Sequence, residues 1–147
     1  LHIPGHTSGH ICIYIKEINA LFTGDTLFSL GCGRIFEGSY AEMFNSLNKL
    51  KNFPKNTEIY CGHEYTENNS NFCLSIDSKN LKLINKINQI KNNIKNNKPT
   101  IPSTLKDELE CNIFLRTDNL EIQKLLGINS DDPIKTFTKL RDLKDNF

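Results

Sequence analysis

The sequence changes its spacing once, near Tyr65, and that change sets what the chain can fold into. Before it, short β-favouring runs alternate with turns. Ile11-Cys12-Ile13-Tyr14-Ile15 and Ala20-Leu21-Phe22-Thr23 are separated by the polar turn Lys16-Glu17-Ile18-Asn19, which predicts a hairpin. Ala41 to Leu50 places Met43, Phe44, Leu47 and Leu50 on one helical face, Pro54 marks the exit, and Glu58-Ile59-Tyr60-Cys61 reads as the next strand. The order β, β, α, β suits a layered α/β arrangement whose loops at strand ends carry chemistry. Beyond it, Leu81, Ile84, Ile87, Ile90 and Ile94 recur at helical spacing towards Pro99, with Lys91 to Lys98 as a solvated helix end. Ser103 or Thr104 is placed to cap a short helix through Glu108, and Asn119 to Leu126 and Asp132 to Asp145 predict two more helices. The expected division is residues 1–66 as α/β and 67–147 as helical.

In the first part, three loops each present a metal-type side chain beside small, turn-forming residues: Pro4-Gly5-His6-Thr7-Ser8-Gly9-His10, Leu21-Phe22-Thr23-Gly24-Asp25-Thr26 and Cys61-Gly62-His63-Glu64-Tyr65-Thr66. Glycine lets a backbone bend sharply enough to bring distant side chains to one point. Imidazole and carboxylate are ligands that zinc and similar divalent ions accept. His6, Asp25 and His63 therefore read as half of a metal site, against the alternative of loop residues bonded to nearby backbone. His10, heading a strand, fits better as a residue that holds a ligand loop.

The bulk numbers exclude other classes. The 147 residues, 37% hydrophobic and 24% charged, describe an ordinary globular chain. A net charge of +1 is too balanced for general binding of nucleic acid, and no apolar run approaches the roughly 20 residues that span a bilayer. Cys12, Cys32, Cys61, Cys73 and Cys111 are odd in number, with no CxxC pair, which argues against a disulfide framework and for a reducing, cytoplasmic setting. Cys32 and Cys61 have no base nearby in sequence and read as small buried hydrophobes. The sequence does not indicate an oligomeric state.

Taken together, the three loops, Phe22-Thr23-Gly24-Asp25-Thr26-Leu27-Phe28, Gly31-Cys32-Gly33-Arg34, Pro99-Thr100-Ile101-Pro102-Ser103-Thr104-Leu105 and Leu140-Arg141-Asp142-Leu143-Lys144-Asp145 closely resemble glyoxalase II, the hydroxyacylglutathione hydrolase branch of the metallo-β-lactamase superfamily. The resemblance implies the second half of an αββα sandwich followed by a helical substrate lobe. It implies that His6 serves one metal ion, His63 a second, and Asp25 bridges the two. Zinc, iron and manganese all accept such a ligand set. The family's His-x-His-x-Asp-His loop lies upstream of the Pro-Gly-His segment, and nothing before His2 supplies it. Leu1 is not Met, so the chain reads as the C-terminal portion of the enzyme, expected to be inactive alone.

The implied reaction is hydrolysis of S-(2-hydroxyacyl)glutathione by a hydroxide shared between two metal ions, with S-D-lactoylglutathione giving D-lactate and glutathione, as in methylglyoxal detoxification. A thiolate leaving group needs little acid assistance. Arg141 and Lys144, at i and i+3 on the last helix, are the implied cations for a glutathione carboxylate, against the plainer reading of a solvated charged face. Arg34, Phe36 and Tyr65 resemble the remaining substrate contacts, Phe36 standing where the family more often has Tyr. Glu64 fits an orienting role better than a general base, and Arg116 fits a structural ion pair. Two rivals keep parts of this picture: a mononuclear iron persulfide dioxygenase of the same superfamily, against which the cationic helical end argues, and a non-catalytic fragment that binds glutathione conjugates.

Overall fold

The computed structural model describes residues 1–129 and 131–147. Strand β1 (Ile13–Ile15) pairs antiparallel with β2 (Ala20–Gly24) through a single 3-10 turn at Lys16–Ile18, closed by Asn19 in the left-handed region at φ 51°. This is the predicted hairpin. A second, two-residue ladder, β3 (Leu27–Phe28) with β4 (Gly31–Cys32), follows at once and was not legible from spacing. Helix α1 (Tyr40–Leu50) starts at a capping box in which Ser39 and Glu42 satisfy each other's backbone amides. It buries Met43, Leu47 and Leu50, as the periodicity requires, and returns the chain to β5 (Glu58–Cys61), parallel to β2.

The helical part begins with α2 (Thr66–Ile76), whose Asn-rich sequence gave no apolar period because half its inward face is polar: Thr66, Asn69 and Ser70 are buried beside Phe72 and Cys73. Helix α3 (Leu81–Lys95) is capped by Asn80. Its buried stripe is Leu83, Ile87 and Ile90; Leu81 and Ile94, expected on that stripe, are exposed near the two ends. β6 (Ser103–Thr104) then joins the main sheet, in the order β1-β2-β5-β6. Thr104 caps α4 (Leu105–Cys111), which runs past Glu108 and turns that residue inward. Asn119 caps α5 (Leu120–Leu125), and Asp132 caps α6 (Pro133–Asp145), with Pro133 in the first turn where its missing N–H is harmless.

One contiguous core serves both parts. Ile3, Leu21, Ile59 and Met43 on the sheet side join Phe72, Phe114, Phe137 and Leu83 on the helical side. Each of these side chains contributes about 1.5–3 kcal/mol on burial. Phe44 of α1 packs on Phe137 of α6 with ring centroids 6.0 Å apart, so the last helix lies against the first. Among the described residues no helix is long and apolar enough to cross a membrane.

Candidate metal centre and adjoining cavity

Because β2 and β5 run parallel, the loops that leave their C-terminal ends emerge side by side, joined by Gly62 N–H donating to the Gly24 carbonyl at 2.9 Å. Asp25 leaves β2 through Gly24, which takes φ 50°, and the buried Thr23 hydroxyl closes the turn by donating to the Leu27 carbonyl at 2.7 Å. His63 leaves β5 after Gly62. A Cβ at Gly62 would stand 2.4 Å from Asp25 Oδ1, so only glycine lets the carboxylate lie there. His6 arrives from the loop before β1. Its Nε2 is 3.5 Å from Asp25 Oδ2, and the Nε2 of His63 is 3.6 Å from the same oxygen.

The surrounding bonds orient these groups. His6 Nδ1 is 2.8 Å from the Arg34 carbonyl, which can only accept, so Nδ1 carries the proton and Nε2 presents a lone pair. The Asp25 N–H donates to His10 Nε2 at 3.0 Å, which makes His10 a holder of the Asp25 loop, as its place in the sequence suggested. The loop before β1 is tied to the segment after β4. Glu37 accepts from the Ser8 N–H and hydroxyl at 2.9 and 3.1 Å, bonds that hold its carboxyl below the usual range, and the Phe36 N–H donates to the His6 carbonyl at 3.1 Å. Glu64 accepts from both the N–H and the hydroxyl of Thr100 at 2.6 Å, so it pins the His63 loop and is not free to act as a base.

Two imidazole nitrogens face one carboxylate oxygen, and this donor set suits divalent ions of the zinc type. Among the described residues no three His, Cys, Asp or Glu side chains surround a single ion position. His2, whose Nε2 donates to the Ser8 carbonyl at 2.8 Å, is committed elsewhere.

His6, Asp25 and His63 line a cavity of about 480 Å³ together with Arg34, Phe36, Tyr65, Arg141 and Lys144. Tyr65 stacks on His63 at 5.0 Å between centroids, and Phe36 leans on His6 at 4.9 Å while remaining 68% exposed. The two cations of α6 differ in kind. Arg141 is 3% exposed, lies over the Phe114 ring, and donates from Nη1 to the Cys32 carbonyl at 2.7 Å and from Nη2 to Asp145 at 2.9 Å; its Nε has no partner among the described residues. Lys144 is half-buried between the rings of Phe72 and Phe147 and donates to Asn68; burial, then nearby Arg141, lowers its pKa. The solvated-face reading is therefore wrong for Arg141.

Sequence reasoning missed Asp145, whose Oδ1 receives Arg141 and also lies 3.5 Å from Arg34 Nε. It missed Asn68 and Asn69, which line the cavity from α2. Their only available signal was polarity on the inner face of a helix that had itself gone unrecognised. Arg116 pairs with Asp77, the structural role expected of it. Burial pushes the Cys32 thiol up to about 11 despite Arg141 beside it, so it stays a neutral, inert thiol.

Known proteins match the whole chain. The family profile described as hydroxyacylglutathione hydrolase C-terminus matches residues 64–147, and that of the metallo-beta-lactamase superfamily matches residues 1–63. The hydroxyacylglutathione hydrolase of Pelagibacter ubique is 56% identical over 99% of this chain and 55% of its own length. That of Psychromonas ingrahamii is 46% identical over 100% of this chain and 58% of its own. The chain thus spans a little over half the length of these curated relatives. Among solved structures, ETHE1 from Myxococcus xanthus superposes with a TM-score of 0.53 at 21% identity, covering 98% of this chain and 51% of that one. BLEG-1 B3 metallo-beta-lactamase gives 0.51 at 24% identity, over 78% and 39%. At such identities the likeness speaks for the fold alone.

Proposed function

This chain belongs to the hydroxyacylglutathione hydrolase family of the metallo-β-lactamase superfamily, and from that membership we propose that it serves the hydrolysis of S-(2-hydroxyacyl)glutathione thioesters. The observation that carries the reading is the pair of imidazole Nε2 atoms facing Asp25 Oδ2 at 3.5 and 3.6 Å, in a cavity lined also by Arg34 and Lys144. Water is added across the acyl–sulfur bond, giving a hydroxy acid and the glutathione thiol. S-D-lactoylglutathione is the proposed substrate, in methylglyoxal detoxification.

We assign His6 to one divalent ion, His63 to another and Asp25 to both, zinc being the first candidate and iron or manganese the others. Ions bound there supply Lewis acidity and a water made nucleophilic near neutral pH. The chain's own residues do the rest. His6 is kept in the ligating tautomer by Arg34, and Asp25 is held by His10. Lys144 and Arg34 offer point charge and fork to the glutathione carboxylates, while Arg141 forms the buried cationic wall behind them. Phe36 and Tyr65, packed on the two histidines, shield the acyl end from water. The presence of Phe at position 36 removes a hydroxyl donor worth about 0.5–1.5 kcal/mol. A reducing, cytoplasmic setting suits the five free thiols.

The test is thioester hydrolysis by this chain with added zinc, iron or manganese, and by a chimera joining it to the portion of the Pelagibacter ubique relative that the alignment leaves uncovered. Release of glutathione thiol by the metal-loaded chimera, and loss of that release on chelation, is the expected result. A metal-loaded chimera with no turnover overturns the proposal.

A further inference from the structure

One ionisable side chain is wholly enclosed and has no part in the proposed reaction. Glu108 of α4 has no exposed surface. Its Oε2 accepts from the Leu30 N–H at 2.8 Å and from Asn112 Nδ2 at 2.9 Å, and among the described residues Oε1 has no hydrogen-bond partner. Leu30 stands at the tip of the β3–β4 hairpin with φ 58°, a conformation that an L side chain keeps only where its surroundings hold it. The rest of that tip is held from the same side. Asn112 Nδ2 reaches the Gly31 carbonyl at 3.0 Å, Asn69 Nδ2 the Ser29 carbonyl at 3.1 Å, and Cys73 Sγ the Leu30 carbonyl at 3.2 Å. All these donors belong to the helical part, and the hairpin belongs to the sheet part. Its two ends carry the functional groups, since Asp25 shortly precedes β3 and Arg34 shortly follows β4.

We propose that Glu108 is a positioning residue: an ionisable clamp by which the helical part fixes the Leu30 turn and, through the hairpin, the placement of Asp25 relative to Arg34. The clamp rests on the proposed function only for what Asp25 and Arg34 serve; the hairpin itself can be observed directly.

The ionisable groups facing Glu108 are Cys61 of β5, Cys73 of α2, Lys86 of α3 and Cys111 of its own helix. Asp107, next to it, is committed to Lys86 at 2.7 Å, and Glu110 to Lys82 at 2.7 Å. Burial raises the Cys61 thiol and pushes those of Cys73 and Cys111 up to about 12, so all three stay neutral through the physiological range. Glu108 differs. Burial outweighs the bonds from Asn112 and Leu30 and raises its carboxyl from 4.5 to about 7. A hairpin clamped by it changes its bonding near neutrality, while Lys86, itself paired with Asp107, offsets the effect of burial only in part.

Amide hydrogen exchange and amide resonances of the intact chain test this in the parent, Glu108→Ala and Glu108→Gln. In the Ala variant the Leu30 and Gly33 amides exchange at least about tenfold faster, while Leu21 and Ile59 in β2 and β5 keep their rates. The isosteric Gln keeps tip protection within about threefold, because its amide oxygen still receives Leu30 and Asn112. In the parent the Leu30 amide resonance titrates with a midpoint near neutrality, and Glu108→Gln abolishes that titration. Where the Ala variant does not fold, the titration decides alone. Uniform acceleration across the sheet, unchanged exchange at the tip, or a Leu30 titration that survives in Glu108→Gln overturns the proposal.

Discussion

The backbone N–H of Asp25 ends on the ring of His10, 3.0 Å from Nε2. The same ring fills the space where a Cβ on Gly24 would stand, 2.5 Å from Nε2, and meets the His6 ring edge-on at 5.7 Å. One imidazole outside the proposed ligand set thus touches two of the three loops that carry it.

Removing that acceptor should loosen Asp25 without unfolding the chain. His10→Leu is expected to weaken zinc binding by the chimera about 10–100-fold, and His10→Gln, whose side-chain oxygen can reach the same N–H, by no more than about threefold. Competition against a chelator measures both. Equal affinities in the two variants would remove the role of His10.

Gly62→Ala tests the carboxylate's seat. A Cβ there would meet Asp25 Oδ1 at 2.4 Å, so the carboxylate must move while the strand behind it, paired through Ile59 and Leu21, does not. Zinc affinity should fall at least about tenfold with a change in unfolding free energy below about 1 kcal/mol. Chelator competition and urea titration of the same preparation give the two numbers.

Glu108 predicts a pH dependence of stability with a definite sign. Its folded carboxyl titrates at about 7 against an ordinary 4.5, so its contribution is fully present below 4.5 and is lost as pH rises towards 7. The parent should therefore lose about 3 kcal/mol relative to Glu108→Gln across that window. Urea unfolding of both proteins at a series of pH values reads the difference, and parallel curves would contradict it.

The two cations of the last helix should separate by phenotype. Arg141→Ala leaves the carbonyl of buried Cys32 without its donor and removes the partner of the more exposed Asp145, so it should lower stability by about 2–3 kcal/mol as well as weaken ligand binding. Lys144→Ala and Arg34→Ala remove more accessible charges and should weaken binding of an S-alkyl glutathione by about tenfold with little loss of stability. Calorimetry and thermal unfolding together distinguish them.

The legible parts of this chain were those written in local chemistry. The β1–β2 hairpin, α1, β5 and the caps Asn119 and Asp132 follow from alternation, period and turn residues that act within a few positions. So does the convergence of His6, Asp25 and His63, because the glycine beside each of the three announces a tight turn. Contacts that span the chain were not legible. Arg141 reaches Cys32 across 109 positions and Glu108 reaches Leu30 across 78, and no local pattern separates a buried Arg or Glu from a solvated one. Helix α2 escaped notice because it turns Asn69 and Ser70 inward, where apolar periodicity looks for Leu and Ile. Leu83, not Leu81, lies on the buried face of α3, because at 3.6 residues per turn Leu81 stands about 200° around the helix from Leu83.

The central claim is that Asp25 is shared by two metal ions, one on His6 and one on His63. Metal content of the chimera, measured by elemental analysis beside its Asp25→Ala variant, tests this most directly. The account predicts two ions per chain in the parent and simultaneous loss of both in the variant. A variant that keeps its full metal complement contradicts it.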